Sequence, residues 1–312
     1  MNKRIVLVII GLCEVFNLFG QQIEQISDGE FSQIGNEFSL NGQYFVYTDV
    51  AVNKKKKMIE YGFNLIATSN PKVVNYHHDN FRFIGFVRDS VILGLNNANK
   101  IYTFNTITEK TLKEYDITLG NDIYSTFNFK FKNENLYYLK ENNLVAYSLS
   151  SCSNSVLFNL KNFSSDYSDI VSFDIKEDTV AFCFKEKNSA KEIYDFYLFS
   201  LSSKELSLIK KGENTDEKTY SPIVRFAQNH EIIYSYYSDK KASLHFVNYL
   251  TKEESKKQSI GDYGIINFSI SSIGQEYTSL FNDKERQELA KKYAKRPNLG
   301  VLLSGCHVYN LK

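Results

Sequence analysis

Apolar and polar residues alternate over short runs through most of the chain, and turn-forming residues interrupt these runs at short intervals. β-Branched and aromatic residues occupy many apolar positions, while Asn, Asp, Gly and Ser separate the runs. Alternation with a period of two is typical of strands that bury one face. The pattern therefore predicts an all-β protein. One short helical insertion is expected at about residues 283–296, where good helix formers follow Asp283 and Pro297 ends the run.

A two-part unit recurs along the chain. Each unit begins with a turn and a β-rich run, and it continues with an aromatic-containing strand, a polar turn and another strand. One landmark residue in each first run marks the period: Tyr47, Leu93, Tyr138, Phe182, Tyr234 and Leu280. Successive landmarks are 44 to 52 residues apart, near the ~40 to 50 residues of a propeller blade. The repeats predict a six-bladed β-propeller of four-stranded antiparallel blades, forming a single domain over residues 21–312 with the helical insertion in the last blade.

Closure of the ring has two solutions in the sequence. The last unit has strand-like runs near residues 265–269, 276–281 and 299–303, followed by residues 306–311. Either residues 306–311 or residues 22–27 supply the outermost strand of the last blade. We favour residues 22–27, because closure by both termini removes the free edges that an open sheet exposes.

The first twenty residues have the layout of a cleavable export signal. Lys3 and Arg4 precede nine apolar residues, 5–13, which as a helix rise about 14 Å, short of the ~30 Å bilayer core. We expect residues 1–20 to be a signal peptide, cleaved after Gly20 or earlier after Cys13. The mature protein is then periplasmic, on the outer surface or secreted, with no transmembrane span. Lipidation of Cys13 is not expected, because Leu12 occupies a position that requires a small residue.

The overall charge is balanced, with 37 basic and 36 acidic residues. No long-range field attracts nucleic acid, so it is not an expected partner. Beyond the signal peptide the cysteines are Cys152, Cys183 and Cys306, without the spacing that holds zinc. We predict no metal, no cofactor and a monomer. Cys183 is expected to be a small buried hydrophobe, and the disulfide state of the three cysteines stays open.

One segment resembles a known propeller signature. Residues 38–47, FSLNGQYFVY, are similar to the F-S-P-D-G-x-x-φ-x-φ motif of TolB-like, WD-repeat-like propellers, and residues 268–277 repeat part of it. Leu40 replaces the proline, and only these two units carry the glycine. The resemblance implies a propeller fold in a family that mostly binds peptides or proteins, or accompanies a hydrolase domain. The Asn, Lys, Ile and aromatic bias, together with residues 19–22, resembles exported proteins of Bacteroidota.

The segments that join successive units carry an Asp shortly before an aromatic residue. In a propeller these segments lie on one face around the central channel, where ligands bind. A ring of carboxylates and aromatic rings there could hold a cationic peptide, a sugar or a metal ion. Alternatively, each Asp starts a turn and each aromatic residue packs its blade. The pairs are Asp28/Phe31, Asp79/Phe81, Asp122/Tyr124, Asp166/Tyr167, Asp216/Tyr220 and Asp262/Tyr263. The candidate binding residues among them are Asp79, Asp122, Tyr124, Asp166, Tyr167, Asp262 and Tyr263.

No catalytic residue is predicted. The chain lacks tryptophan, as well as the G-x-S-x-G, H-E-x-x-H and phosphate-loop motifs. The leading hypothesis is a non-catalytic cell-envelope or secreted binding and scaffold protein that uses a propeller face to bind a protein, peptide or glycan. The alternative is a propeller glycoside hydrolase. It requires two of the carboxylates of Asp79, Asp122, Asp166, Asp169 and Asp262 to lie within about 5 to 10 Å of each other.

Overall fold

The structure is a computed structural model. It describes residues 24–25, 32–39, 41–53, 58–67, 69, 74–79, 81–96, 100–118, 129–187, 192–215, 221–227, 230–238, 241–261, 263–270, 275–282 and 305–310. Within these ranges the chain forms 24 strands and a one-turn helix. The expected signal peptide, residues 1–20, and the predicted helical insertion, residues 283–296, lie outside the described residues.

Strand β1 (Glu24–Gln25) is followed by two blades, each made of four strands that are consecutive in the chain. Blade 1 contains β2 (Ser32–Phe38), β3 (Tyr44–Asn53), β4 (Met58–Ala67) and β5 (Val74–Asp79). Blade 2 contains β6 (Arg82–Arg88), β7 (Val91–Leu95), β8 (Lys100–Asn105) and β9 (Lys110–Thr118). Every neighbouring pair in both blades is antiparallel.

Three further blades follow the same plan. Blade 3 contains β10 (Phe129–Lys132), β11 (Asn135–Lys140), β12 (Asn143–Ser148) and β13 (Ser153–Asn159). Helix α1 (Leu160–Phe163) leads into blade 4, which contains β14 (Tyr167–Lys176), β15 (Thr179–Glu186), β16 (Glu192–Ser200) and β17 (Leu206–Thr215). Blade 5 contains β18 (Val224–Phe226), β19 (Glu231–Ser238), β20 (Lys241–Asn248) and β21 (Glu254–Gly261).

The sixth sheet, which we call the closing sheet, joins both ends of the described chain. It contains β22 (Tyr263–Ile270), β23 (Gln275–Asn282), β24 (Gly305–Asn310) and β1, in the order β22-β23-β24-β1. Glu24 pairs with Val308 and Gln25 with His307. The N-terminal strand is thus outermost, as favoured from the sequence, and β24 is the third strand. The run at residues 299–303, expected there, lies outside the described residues.

The sheets pack side by side in a closed ring. The closing sheet contacts β2 of blade 1 and β20 of blade 5. The first strands of neighbouring blades contact each other, β2 with β6 and β22, β6 with β10, and β14 with β18, so these strands are the innermost ones. The prediction of an all-β propeller of four-stranded antiparallel blades is confirmed. The predicted number of six is corrected to five blades that are continuous in the chain, because the closing sheet combines strands from its two ends.

Aromatic residues fill the spaces between blades. Phe158 of blade 3 packs on Phe182 of blade 4, with ring centroids 4.9 Å apart. Phe196 of blade 4 stacks on Tyr234 of blade 5 at 4.1 Å. Cys183 is buried as a free thiol in the apolar cluster that contains Phe196 and Tyr234. This is the position expected for a small hydrophobe. Each blade therefore buries its apolar faces against its neighbours, which is the favourable term that holds a propeller together.

Tight turns set the spacing of the strands. Asn133 and Glu134 join β10 to β11, and Glu141 and Asn142 join β11 to β12, all with positive φ. Two successive residues with positive φ define the type I′ turn that matches the twist of a hairpin. The Asn142 side chain also reaches blade 4, where its Oδ1 accepts a hydrogen bond from the Ile170 N–H at 3.0 Å. This turn therefore shapes one blade and ties it to the next.

We predict that Gly94→Ala strongly destabilises the protein. A Cβ at residue 94 would overlap the ring of Phe81 and lie 2.7 Å from the carbonyl oxygen of Arg82. Phe81 is fully buried, and its ring already contacts those of Phe63 and Tyr102. Overpacking of a core commonly costs about 1 to 3 kcal/mol, and we expect a loss at or above the top of that range in urea unfolding.

Gly212→Ala is the control for this substitution. Gly212 has a φ of 75°, and a Cβ added there would meet no atom within 4 Å, so its cost is backbone strain of about 1 to 2 kcal/mol. Equal stability of the Gly94→Ala variant and the wild type would contradict the packing described for this blade.

Candidate functional site

The predicted binding residues lie at blade junctions in the chain. Asp79 is the last residue of β5, and Tyr263 is the first residue of β22. Asp166 lies between α1 and blade 4, and Tyr167 is the first residue of β14 in that blade. Asp122, Tyr124 and Asp262 lie outside the described residues. Side-chain positions are described for Asp166 and Tyr167 alone among the seven. A binding role for the set stays a prediction.

A polar cavity of about 340 Å³ lies at one end of blade 4. It is the end at which β14 and β16 begin and β15 and β17 finish, and it includes the junction with α1. The lining residues are Ser165, Asp166, Tyr167, Glu186, Lys187, Asp195 and Lys211. We call this cavity the blade 4 pocket. The structure thus places the predicted pair Asp166 and Tyr167 in the wall of one pocket.

Asp195 is the buried acid of this pocket. Its side chain is 0% exposed, and one carboxylate oxygen accepts a hydrogen bond from the Tyr167 hydroxyl at 2.7 Å. The other oxygen accepts one from the Gly212 backbone N–H, also at 2.7 Å. Asp195 forms no ion pair with any described residue. A buried carboxylate is costly unless it is hydrogen-bonded or paired, so two neutral donors hold Asp195 here.

The Tyr167 hydroxyl is fixed as a neutral donor. It lies 2.8 Å from the Tyr197 hydroxyl, in addition to its bond with Asp195. Burial, followed by the hydrogen bonds to Tyr197 and Asp195, raises the pKa of Tyr167 far above its ordinary value. The ring is therefore held in one orientation, with its hydroxyl directed at the buried acid.

Helix α1 places an exposed aromatic ring next to the pocket. The Asn159 side chain caps the helix by accepting a hydrogen bond from the Asn162 N–H at 3.2 Å, and Leu160 is buried between blades 3 and 4. Phe163 then projects to the surface, 40% exposed. Its ring lies nearly parallel to that of Tyr167, with centroids 6.2 Å apart and an angle of 12°. Phe163 thus lies one ring beyond the pocket wall.

The aromatic residue of another predicted pair packs a blade, as the alternative interpretation expects. Phe81, the aromatic partner of Asp79, is fully buried between blades 1 and 2. Its ring contacts those of Phe63 at 4.9 Å and Tyr102 at 4.8 Å. The same sequence pattern therefore packs a blade at one junction and lines a pocket at another.

A second polar cluster, which sequence analysis missed, lies on the innermost strands. Lys130 of β10 lies 3.2 Å from Asp174 of β14, Nζ to Oδ1. The other oxygen of Asp174 accepts a hydrogen bond from the backbone N–H of Phe226, in β18, at 2.8 Å. Arg225, the preceding residue, donates to the carbonyl of Val224 at 2.7 Å. Together with Glu37 of β2, we call Lys130, Asp174 and Arg225 the channel cluster.

The channel cluster shifts the protonation of its own members. Burial raises the pKa of Glu37 from 4.5 to about 7, against the opposing charges of Lys130 and Arg225. Burial alone would also raise the pKa of Asp174, but Lys130 and Arg225 lower it below its ordinary value. Gly85 leaves room for Glu37, whose Oε2 lies 3.1 Å from where a Cβ of residue 85 would be.

A signal for the channel cluster is present in the sequence. Three members are single charges between apolar neighbours: Phe129-Lys130-Phe131, Phe173-Asp174-Ile175 and Val224-Arg225-Phe226. All four members pair with the residue that precedes a repeat landmark, namely Val46, Tyr137, Ala181 and Ile233. A charge at a repeated position of an apolar strand is a signal for a channel. Which of these charges contact each other depends on how the blades are arranged around the propeller.

Comparison with known proteins supports the fold alone. No family model matches the sequence, and the search of curated proteins also finds no match. Among solved structures, TolB from Acinetobacter baumannii is similar with a TM-score of 0.51 and 12% identity, covering 74% of this chain and 56% of TolB. U3-55K is similar with a TM-score of 0.52 and 7% identity, covering 84% of this chain and 79% of that one.

These likenesses place the chain in the class of β-propellers with a TolB-like fold, and the resemblance seen in the sequence is confirmed at the level of fold. The chain spans little more than half of TolB. Within the described ranges, no helix is both long and apolar enough to cross a bilayer. The same ranges hold no group of three or more His, Cys, Asp or Glu side chains arranged to bind a metal ion.

We predict that Glu37→Gln changes how stability depends on pH. A carboxyl whose pKa is raised from 4.5 to about 7 stabilises the folded state fully below about pH 4.5, and this contribution is lost as the pH rises through 7. With about 1.4 kcal/mol per pKa unit, the loss is up to about 3 kcal/mol. Glutamine mimics the neutral acid, so the variant should match the wild type near pH 4.5 and exceed its stability above pH 7.

Urea unfolding at a series of pH values measures this effect. Glu253→Gln is the matched control, because Glu253 is exposed and belongs to no buried cluster. Parallel pH profiles for the wild type and Glu37→Gln would show that Glu37 ionises as it does in the unfolded chain.

Proposed function

We propose that this protein is a non-catalytic binding protein of the cell envelope or the exterior, which holds a protein, peptide or glycan at the end of blade 4. The observation that carries the proposal is the blade 4 pocket, whose wall includes Asp166 and Tyr167, both nominated from the sequence. A β-propeller with a TolB-like fold is compatible with such a scaffold. A monomer suffices for this role.

The pocket offers binding groups with free hydrogen-bonding capacity. The side chains of Asp166, Glu186, Lys187 and Lys211 line it and form no hydrogen bond or ion pair with a described residue. By contrast, both oxygens of Asp195 are already bonded. Donors and acceptors that a ligand can satisfy support recognition.

The described side chains do not bring together two of the carboxylates that the hydrolase alternative nominated. It needs two loop carboxylates facing each other, and Asp169 is not part of the pocket wall that contains Asp166. Asp169 instead accepts a hydrogen bond from Asn142 of the neighbouring blade at 3.4 Å. That contact gives Asp169 a role in the blade junction.

Export is the second part of the proposal. The basic and short apolar segments within residues 1–20 support a cleavable signal, and a periplasmic, surface or secreted location follows from it. We predict that the protein, expressed in a Gram-negative host with residues 1–20 in place, begins near Gln21 when it is purified. Mass spectrometry of the intact protein measures this. An uncleaved N-terminus, or a protein that stays in the cytoplasm, would remove the basis for an envelope role.

Ligand binding is tested by thermal unfolding with fractionated envelope extract. A bound ligand at 100 times its Kd stabilises the folded state by about 2.7 kcal/mol, so an active fraction should raise the Tm by several degrees. The double variant Glu186→Ala/Lys211→Ala should lose this shift. The control Glu253→Ala/Lys257→Ala, which removes the same charges from exposed positions of blade 5, should keep it. Steady turnover of a glycan substrate that Asp166→Asn abolishes would contradict the non-catalytic assignment.

A further inference from the structure

We propose that the blade 4 pocket binds a sugar unit of a glycan, whose hydroxyl groups meet the charged side chains while an apolar face of the ring packs near Tyr167 and Phe163. This inference rests on the proposed function, since it names the ligand class of the same pocket. Three features carry it: the mixed lining of donors and acceptors, the ring of Tyr167 in the wall with Phe163 stacked beside it, and the balance of charge among the side chains that have no described partner.

The lining alternates acceptors with donors. Asp166 and Glu186 provide carboxylates, and Lys187 and Lys211 provide ammonium groups. Each hydroxyl of a sugar is both a donor and an acceptor, so neighbouring hydroxyls can bond to a carboxylate and an ammonium group together. Hydrogen bonds to charged groups are stronger than those between neutral groups. A ligand without charge can thus satisfy groups of both signs.

The aromatic wall supplies the apolar part of the site. Because the Tyr167 hydroxyl is bonded to Asp195 and lies 2.8 Å from Tyr197, its ring is held in place. Phe163 stacks beside it with 40% of its surface exposed. Sugar rings carry faces of C–H groups that pack on aromatic surfaces, while their edges carry hydroxyls. An aromatic surface beside polar groups that lack partners among the described residues matches both parts of one ligand.

Charge balance favours a neutral ligand over a cation. Three carboxylates, those of Asp166, Glu186 and Asp195, meet two ammonium groups, those of Lys187 and Lys211. The lining therefore carries about one negative unit in all, but the four side chains without a described partner, namely Asp166, Glu186, Lys187 and Lys211, carry no net charge. Asp195 is also saturated by its two hydrogen bonds, so it acts as a positioning residue for Tyr167. Ligand pockets commonly span about 300 to 1,000 Å³, and a cavity of about 340 Å³ suits one or two sugar rings.

The test is calorimetric titration of the full chain with trisaccharides of glucose, mannose, galactose and N-acetylglucosamine, and with tripeptides that contain lysine or aspartate. We expect at least one trisaccharide to bind with a Kd between about 10 μM and 10 mM. Phe163→Ala and Glu186→Ala/Lys211→Ala should each weaken that binding about tenfold or more. Leu250→Ala, another exposed apolar truncation, and Glu253→Ala/Lys257→Ala should stay within about twofold.

Salt dependence separates a sugar from a charged ligand. Binding of a neutral sugar should change less than about twofold between about 50 and 500 mM NaCl, whereas a cation held by the carboxylates should lose affinity as screening increases. A trisaccharide that binds equally well to all pocket variants would show that the sugar site lies elsewhere, and this would overturn the inference.

Failure of the inference and failure of the proposed function give different results. If no trisaccharide binds at about 10 mM but a tripeptide does, and the pocket variants abolish its binding, the sugar inference is wrong and the binding function stands. If neither class binds and no envelope fraction shifts the Tm, both are wrong.

Discussion

Burial of each sheet against its two neighbours is the interaction on which the rest of this structure depends. A four-stranded blade has two faces, and only adjacent blades can cover them, so the apolar side chains between blades carry the hydrophobic stabilisation. Phe158 with Phe182, and Phe196 with Tyr234, are contacts of this kind. The pairing of β1 with β24 acts on a sheet edge and not on a face: it gives β24 a hydrogen-bonded neighbour where its edge would otherwise be exposed.

Polar side chains interrupt this packing in two ways that differ in their energetics. In the channel cluster, Lys130 and Asp174 pair with each other and Asp174 accepts a backbone N–H as well, so the charges are compensated within the fold. In the blade 4 pocket, Asp195 is held by neutral donors, and the outer charges make no bonds to described residues. The first arrangement connects blades, whereas the second leaves bonding capacity for a ligand.

The repeat pattern correctly predicted a propeller of four-stranded blades because strand alternation is local, but it predicted six blades where five are continuous in the chain. Landmarks such as Phe182 and Tyr234 lie on the second strand of their blades, and the favoured N-terminal closure agrees with the pairing found. The site was harder to predict. Asp166 with Tyr167 and Asp79 with Phe81 look alike in sequence, yet Phe81 is buried between blades and Tyr167 lines a pocket. The spacing of an Asp and an aromatic residue does not indicate whether a neighbouring blade buries the aromatic ring.

By itself, the sequence determined the strands, their period and the class of fold, because alternation and turn chemistry act over a few residues. The tertiary arrangement of the blades determined which residues that are distant in the chain contact each other. Lys130 and Asp174 are 44 residues apart in the chain and meet only because their blades are adjacent at the channel. Tyr167 and Asp195 meet across three strands of one blade. Charge pairing, burial and the pKa of Glu37 depend on such distant neighbours, and a linear pattern does not contain them.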